Sequence, residues 1–231
     1  MLILKLLHKL AQLYLNIEAD VPGKNQKINS LQFVKAIIPR KEYLRNIRKY
    51  FSIRKANNII LGAGETQYPN WVSTDKKSLN ILNREDFRHY WKVSSRWRFL
   101  AEHVWEHFTL EEARTANANC FEFLKSGGRL RIAVPDGLHP DETYIEYIRP
   151  GGTGPGAKDH QILYNYRMIQ EILEDTGFRV EILEYWDEQR KFHIRHWNSE
   201  DGHICRSKRF DRRNQAGSLN YTSLIVDGIK A

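Results

Sequence analysis

The stretch that most constrains the fold lies between residues 59 and 75, where two short apolar runs each end in residues suited to ligand binding. Ile59–Leu61 is followed by Gly62-Ala63-Gly64, and Trp71–Thr74 is followed by Asp75. An apolar run that ends in a glycine turn is typical of a buried strand in an open α/β sheet, which binds ligands beyond the carboxyl ends of its strands. Glycine has no Cβ, so a nucleotide-like ligand can lie against the backbone there. The carboxylate on the neighbouring strand can accept hydrogen bonds from both hydroxyls of a ribose.

The spacing within this stretch indicates which nucleotide it suits. The dinucleotide fingerprint is G-x-G-x-x-G with an acid about 20 residues further on, whereas here Gln67 holds the third glycine position and Asp75 comes much earlier. Pro69 also leaves little room for a helix whose N-terminus could hold a pyrophosphate. S-adenosylmethionine (SAM) has no phosphate and does not need that helix, so SAM is favoured over a dinucleotide. The remaining alternative is a tight connection between two strands that binds no ligand, with Asp75 exposed to solvent.

Strand-like and helix-like patterns alternate through the rest of the chain, which predicts a mainly parallel sheet with helices. Thr109 and Glu112 form a capping box for a helix that Gly127 ends. Residues 79–95 are expected to be irregular or a short helix, and the final strands are expected to pair antiparallel across a polar insertion at about 187–220. The predicted strands are 57–61, 97–101, 129–134, 178–185 and 221–226, and a second helix covers about 162–176.

Two further motifs follow predicted strands. Glu102-His103-Val104-Trp105-Glu106-His107 comes after one, and Pro135-Asp136 comes after another. Together with the glycine turn, they make the chain resemble class I SAM-dependent methyltransferases. The closest subgroup has a short stretch after the glycine turn and an E-H-V-x-E-H motif. The resemblance covers about 57–185, and the strand at 221–226 fits the reversed last strand of the family.

The resemblance implies a fold class and a set of cofactor-binding residues. The fold is α/β, with a Rossmann-like, mainly parallel sheet, helices on both faces and an antiparallel last strand. Gly62, Ala63 and Gly64 would lie along the methionine part of SAM, and Asp75 would take the ribose hydroxyls. Glu102 and His103 would line the cofactor pocket near the sulfonium.

The catalytic candidates lie on loops that follow the predicted strands. An oxygen or nitrogen acceptor sheds a proton during methyl transfer, and histidine titrates in the range of a suitable base. His139 follows Asp136, which could orient a histidine or the acceptor. His160 follows the glycine-rich loop 150–156, which is suited to a mobile lid.

A metal site is not expected from the sequence. His103-x-x-Glu106-His107 fits the H-x-x-E-H pattern of inverted zinc peptidases, but here it follows a strand and precedes the helix cap at Thr109. Two ligating histidines one turn apart need a helix. His107 is therefore interpreted as an ordinary helix-entry residue.

The amino-terminal region is expected to be a helical extension, 1–56, before a methyltransferase-like domain, 57–231. Residues 1–17 read as an amphipathic helix that is too polar to span a membrane. Packing against the domain or a second subunit, as in a homodimer, is favoured for it over peripheral contact with a membrane. Residues 18–30 read as a linker. The two cysteines, Cys120 and Cys205, indicate reduced thiols in a cytoplasmic protein.

The net charge of +8 indicates attraction to anions, and it is concentrated at 35–55 and 206–213. No RNA-binding or helix-turn-helix signature accompanies it, so a nucleic-acid partner is not favoured. The sequence thus predicts a SAM-dependent methyltransferase acting on an O or N nucleophile of a small molecule, sugar or glycan. The alternatives are a nicotinamide-dependent oxidoreductase, or a non-enzymatic binding module for nucleic acid or an anionic membrane.

Overall fold

A computed structural model describes residues 40–217 and 219–231. The predictions for residues 1–17 and 18–30 lie outside this range. The chain divides after Ser52, and the sheet and the candidate site belong to the unit Ile53–Ala231. Among the described helices, none is both long and apolar enough to cross a membrane.

The described residues form five α-helices and seven strands. The helices are α1 (Arg40–Lys55), α2 (Arg84–Tyr90), α3 (Leu110–Phe123), α4 (Glu142–Ile148) and α5 (Tyr166–Glu174). The strands are β1 (Asn58–Leu61), β2 (Val72–Ser73), β3 (Arg96–Glu102), β4 (Leu124–Val134), β5 (Phe178–Trp186), β6 (Phe192–Ile194) and β7 (Leu224–Lys230). Short 3-10 helices lie at Trp105–His107, Ala157–Asp159, Ser199–Asp201 and Arg212–Gly217.

The seven strands form one sheet in the order β2-β1-β3-β4-β7-β5-β6. The pairs β1–β2, β1–β3 and β3–β4 are parallel, and β7 runs antiparallel to both of its neighbours, β4 and β5. Strands β1 to β5 therefore all run in one direction, with β7 inserted in the reverse direction. This is the predicted Rossmann-like sheet with an antiparallel last strand.

The start of helix α3 matches the prediction, and its end does not. The Thr109 side chain accepts from the Glu112 N–H, and the Glu112 carboxylate accepts from the Thr109 N–H, which completes the capping box. Gly127 does adopt a left-handed φ of 76°, but it lies inside β4. The helix ends at Phe123 because the N–H groups of Ser94 and Ser95 bind its last carbonyls, at Glu122 and Phe123. No glycine cap is then needed.

Two other predicted boundaries also shift. Helix α5 begins at Tyr166 rather than near 162, because Asn165 caps it by accepting from the Met168 N–H. The last strand begins at Leu224 rather than 221, because Ser223 donates its N–H to the Arg206 carbonyl instead of joining the ladder. The short helix expected within 79–95 is confirmed as α2.

The two faces of the sheet are covered differently. Alternation along a strand sends neighbouring side chains to opposite faces. On one face, Phe99 of β3 contacts Phe87 of α2, which in turn contacts Phe123 of α3. On the other face, Leu100 belongs to an apolar cluster with Trp197 and Ile204. Three α-helices, α2, α3 and α5, thus cover the first face, and the 187–220 segment with its 3-10 helices covers the second.

Buried charges fix the 187–220 segment to the second face. Arg131 of β4 is fully buried; it pairs with Asp227 of β7 and donates to the carbonyls of Asn198 and Gly202. Glu184 of β5 is also fully buried. Its carboxylate accepts from the Trp197 indole, the Lys208 N–H and the Thr222 hydroxyl. The segment is therefore a structural layer of the domain.

Candidate functional site

Four strand ends meet at one edge of the sheet. Because β2, β1, β3 and β4 are parallel neighbours, the residues that follow them lie side by side. The glycine turn follows β1, Asp75 follows β2, His103 follows β3 and Asp136 follows β4. The structure thus places these sequence-predicted residues at a common edge.

The turn after β1 requires its glycines for two different reasons. Gly62 and Gly64 have φ values of 59° and 55°, in the left-handed region that glycine tolerates best. A Cβ on Gly62 would lie 2.8 Å from Cγ2 of Val104, whereas a Cβ on Gly64 would meet nothing within 4 Å. The Ala63 N–H donates to the Thr74 carbonyl at 2.8 Å, which fixes the turn to the end of β2. Gly62 is therefore needed for packing, and Gly64 presents its backbone to open space.

Alanine substitutions at Gly62 and Gly64 are expected to lower the stability of the protein by different amounts. Either alanine at a left-handed φ costs about 1–2 kcal/mol, and Gly62→Ala adds the clash with Val104. We expect Gly62→Ala to lower the melting temperature more than Gly64→Ala, by about 2–4 °C for each additional kcal/mol. Thermal unfolding followed by circular dichroism measures both. The double variant Gly62→Ala/Val104→Ala should recover the additional loss, and equal melting temperatures for the two single variants would contradict the packing role of Gly62.

Asp75 organises the backbone that follows β2. Its Oδ1 accepts from the Lys77 N–H at 2.9 Å and from the N–H and hydroxyl of Ser78 at 2.9 and 3.1 Å. The carboxylate is thus held in a fixed orientation by its own turn.

Glu102 points into the 187–220 segment. Its two oxygens accept from the N–H groups of Cys205 and Arg206, at 3.1 and 2.8 Å. Burial raises the pKa of this carboxyl, and the two backbone donors act against that rise. Both oxygens therefore hold the segment in place, and the lining of the cofactor pocket by Glu102, which the resemblance implies, stays a prediction.

His103 adopts a left-handed backbone, with φ of 56°, at the end of β3. This conformation is uncommon for residues with a Cβ and often marks a functional position. Its Nε2 lies 3.1 Å from the Ser223 hydroxyl and 3.5 Å from the Tyr221 hydroxyl. Burial, followed by the charge of Arg206, holds the pKa of His103 well below its usual value. The imidazole is therefore neutral and joined to the start of β7.

Asp136 and His139 are engaged with the backbone of their own loop and of β5. The Asp136 carboxylate is fully buried and accepts from the Leu138 N–H and the Trp186 N–H. Burial raises its pKa to about 6. His139 accepts the Asp141 N–H at Nδ1. Asp136 thus connects the loop after β4 to the end of β5, and the catalytic roles of Asp136 and His139 stay predictions.

His160 lies in a different group from His139. Its ring is 4.9 Å from that of His107, while the nearest aromatic partners of His139 are Tyr144 and Trp186. Within the described part of the chain, no hydrogen bond or ring contact joins the two histidines. Of the three predicted catalytic residues, His160 is the one next to the H-x-x-E-H segment.

Sequence reasoning gave three residues of this edge no role, Glu106, Tyr221 and Ser223, and named Arg213 only within the basic cluster 206–213. Glu106 is buried beside His103, with Oε1 3.3 Å from Nδ1, and burial raises its pKa to about 8. Tyr221 and Ser223 reach His103, and the Arg213 guanidinium lies 3.5 Å from the centre of the Tyr221 ring. Glu106 was visible within the H-x-x-E-H motif. Tyr221 and Ser223 are far from it in sequence, and no local pattern connects them to it.

Two arginines lie at this edge, and each is paired with an acidic residue. Arg206 is paired with Glu102 at 3.6 Å, and Arg213 is paired with Asp211 at 2.6 Å. Both arginine side chains are about half exposed. Each guanidinium has five N–H donors, so it can make further hydrogen bonds besides its ion pair.

Comparison with protein-family models gives no match, and comparison with curated protein sequences gives none either. Several solved structures are similar. A SAM-dependent methyltransferase from Archaeoglobus fulgidus is 13% identical with a TM-score of 0.42, over 86% of this chain and 97% of that protein. A SAM-dependent methyltransferase from Thermotoga maritima, described as a possible histamine N-methyltransferase, is 14% identical with a TM-score of 0.44, over 83% and 96%. The magnesium protoporphyrin IX methyltransferase of Synechocystis, solved with bound S-adenosylhomocysteine, is 11% identical with a TM-score of 0.40, over 91% and 90%.

Proposed function

We propose that this protein is a SAM-dependent methyltransferase that acts on an O or N nucleophile of a small molecule, sugar or glycan. The observation that carries the proposal is the edge where the glycine turn, Asp75 and His103 lie on three adjacent parallel strand ends. A ligand bound along this edge spans all three strands. The backbone of the glycine turn and the Asp75 carboxylate are groups that suit an adenosyl group with an attached amino acid.

The residues at this edge fit SAM. Gly64 offers backbone with open space beside it, and Gly62 and Ala63 hold that backbone close to β2 and β3. Asp75 supplies a carboxylate of fixed orientation for the ribose. When bound, SAM supplies a methyl group activated by a positively charged sulfur. The chain's own task is then to align the acceptor and exclude water.

The structure disfavours a nicotinamide cofactor. A dinucleotide places its pyrophosphate at the N-terminus of the helix that follows the first strand. Here the residues between β1 and β2, 62–71, contain turns and no helix. The chain therefore lacks the donor group that a pyrophosphate needs at that position.

The acceptor is proposed to bind near His103 and Tyr221. The Nε2 of His103 and the hydroxyls of Tyr221 and Ser223 form one polar group, which can orient an acceptor oxygen or nitrogen. The half-exposed side chains of Arg206 and Arg213 lie at the same edge. An acidic or phosphorylated acceptor therefore fits this rim best.

The proposal also covers the cellular location of the protein and the role of its amino-terminal region. We place it in the cytoplasm, with an amino-terminal extension up to residue 56 that contributes to a homodimer or to peripheral membrane contact. The basic part of this extension includes helix α1 (Arg40–Lys55). A non-enzymatic binding module remains the alternative if the protein binds anionic vesicles or nucleic acid but not SAM.

Calorimetric titration with SAM, S-adenosylhomocysteine and NADH tests the function. We expect both adenosyl compounds to bind and NADH not to bind. Incubation with methyl-labelled SAM and a metabolite or glycan extract should then label a small-molecule acceptor. Binding of NADH alone, or of neither class, would overturn the proposal. Labelling of nucleic acid instead would support SAM as the cofactor and would show that the proposed acceptor class is wrong.

A further inference from the structure

A compact group of metal-ligating side chains lies beside the proposed acceptor site. Glu106 and His107 belong to the 3-10 helix Trp105–His107, and His160 follows the 3-10 helix Ala157–Asp159. One ligand atom from each of the three residues lies within 4.8 Å of the other two. No task in binding SAM explains this arrangement.

The Glu106 carboxylate is buried without hydrogen-bond partners. Its side chain is 1% exposed, and neither oxygen has a hydrogen-bond partner. Nδ1 of His103 lies 3.3 Å from Oε1 but lacks hydrogen-bond geometry. A buried carboxylate without donors is costly unless a cation or a donor compensates it.

The two histidines are oriented as metal ligands usually are. Nδ1 of His160 lies 2.7 Å from the Ile148 carbonyl, and Nδ1 of His107 lies 3.3 Å from the Asp159 carbonyl. A carbonyl oxygen only accepts, so each neutral ring carries its proton on Nδ1 and keeps a lone pair on Nε2. Metal-ligating histidines typically donate their other nitrogen to a carbonyl or carboxylate in this way.

The backbone holds the two segments together before any ligand binds. The N–H groups of Gln161 and Ile162 donate to the Glu106 carbonyl, at 2.7 and 3.3 Å. The loop that carries His160 is thus attached directly to the turn that carries Glu106 and His107. The three side chains are therefore preorganised by main-chain bonds, which reduces the entropy lost on binding a metal.

We propose that Glu106, His107 and His160 form a binding site for a divalent cation of the zinc class. Two imidazole nitrogens and one carboxylate are a common donor set for zinc, and they leave a position open for water or a substrate oxygen. Zinc–ligand distances of about 2.0–2.2 Å place tetrahedral ligands about 3.4 Å apart, so the side chains rotate slightly inward as the ion binds. The sequence expectation of no metal is the alternative that this proposal replaces.

Zinc binding can be measured without any assay of methyl transfer. The chelator-treated full chain is titrated with zinc chloride by calorimetry, and cobalt(II) absorption reports the coordination geometry. The parent and all variants carry Cys205→Ser, because the exposed Cys205 thiol can bind zinc independently. We expect one zinc per chain and a tetrahedral cobalt spectrum.

Ligand variants and a matched control complete the test. His160→Asn and Glu106→Gln are each expected to weaken zinc binding at least about 100-fold, above the effect of losing a supporting contact. His139→Asn removes another histidine at the same sheet edge and should leave zinc affinity unchanged. Absence of zinc binding by the parent, or equal affinity in His160→Asn, Glu106→Gln and the parent, overturns the proposal. SAM affinity is measured separately on the same samples, so a failed metal site leaves the proposed function testable.

Discussion

Replacing Asp227 with alanine is expected to lower the free energy of unfolding by about 3–5 kcal/mol, the range for losing one partner of a buried ion pair. Asp227 is fully buried, and its two oxygens accept from Nε and Nη2 of Arg131 at 2.7 and 2.8 Å. Arg129 donates to the same carboxylate. Removal of the carboxylate leaves the Arg131 guanidinium buried with uncompensated charge. Urea denaturation at neutral pH measures the loss.

An exposed ion pair provides the control for this experiment. Asp175 pairs with Arg114 at 3.1 Å, and both side chains are about half exposed. Asp175→Ala should cost less than about 1 kcal/mol. The double replacement Arg131→Met/Asp227→Leu should cost less than Asp227→Ala alone, because it removes the fully buried charge of Arg131, while Arg129 is partly exposed and keeps its ion pair with Asp201. Equal free energies of unfolding for Asp227→Ala and Asp175→Ala would show that the buried ion pair does not stabilise the sheet more than an exposed pair stabilises the surface.

The same pair shows where prediction from the sequence reaches its limit. The run Arg129-Leu130-Arg131 alternates, as expected for a strand with one face in the core and one in water. The structure covers the arginine face instead, because Arg131 binds the Asn198 carbonyl, 67 positions along the chain. Periodicity reports only that two faces differ. It does not identify which distant segment covers the polar one.

The residues that lie together at the edge of the sheet could be predicted from the sequence. Strand order in a parallel sheet places the residues that follow β1, β2, β3 and β4 together, whatever the loops do. Gly62, Asp75, His103 and Asp136 could therefore be placed from short local patterns. Tyr221 and Ser223 could not, because their contact with His103 depends on β7 being inserted beside β4.

Hydrogen bonds from distant parts of the chain decided the details that local patterns left open. Glu102 follows the expected strand, yet its carboxylate binds the N–H groups of Cys205 and Arg206. Gly127 has the expected left-handed φ, yet the helix before it ends at Phe123. In both cases a backbone partner from another part of the chain competes with the role that the motif suggests.

The second large effect is expected at Asp75. Asp75→Asn should weaken SAM binding by about 10–100-fold while the turn after β2 persists. Hydrogen bonds to a charged group are worth about 1.5–3 kcal/mol, and each 1.4 kcal/mol is about tenfold in affinity. The asparagine oxygen can still accept from the Lys77 and Ser78 N–H groups that Oδ1 binds now. The negative charge and one acceptor oxygen are lost.

Asp75→Ala separates binding from folding in the same experiment. Alanine removes the acceptor for Lys77 and Ser78 as well, so we expect it to lower the melting temperature, whereas Asp75→Asn stays close to the parent. Both variants should bind SAM weakly in calorimetry. If Asp75→Asn binds SAM as tightly as the parent, the carboxylate does not contact the ribose. The glycine turn alone would then have to position the cofactor, and Gly64, whose backbone faces open space, becomes the residue on which cofactor binding depends.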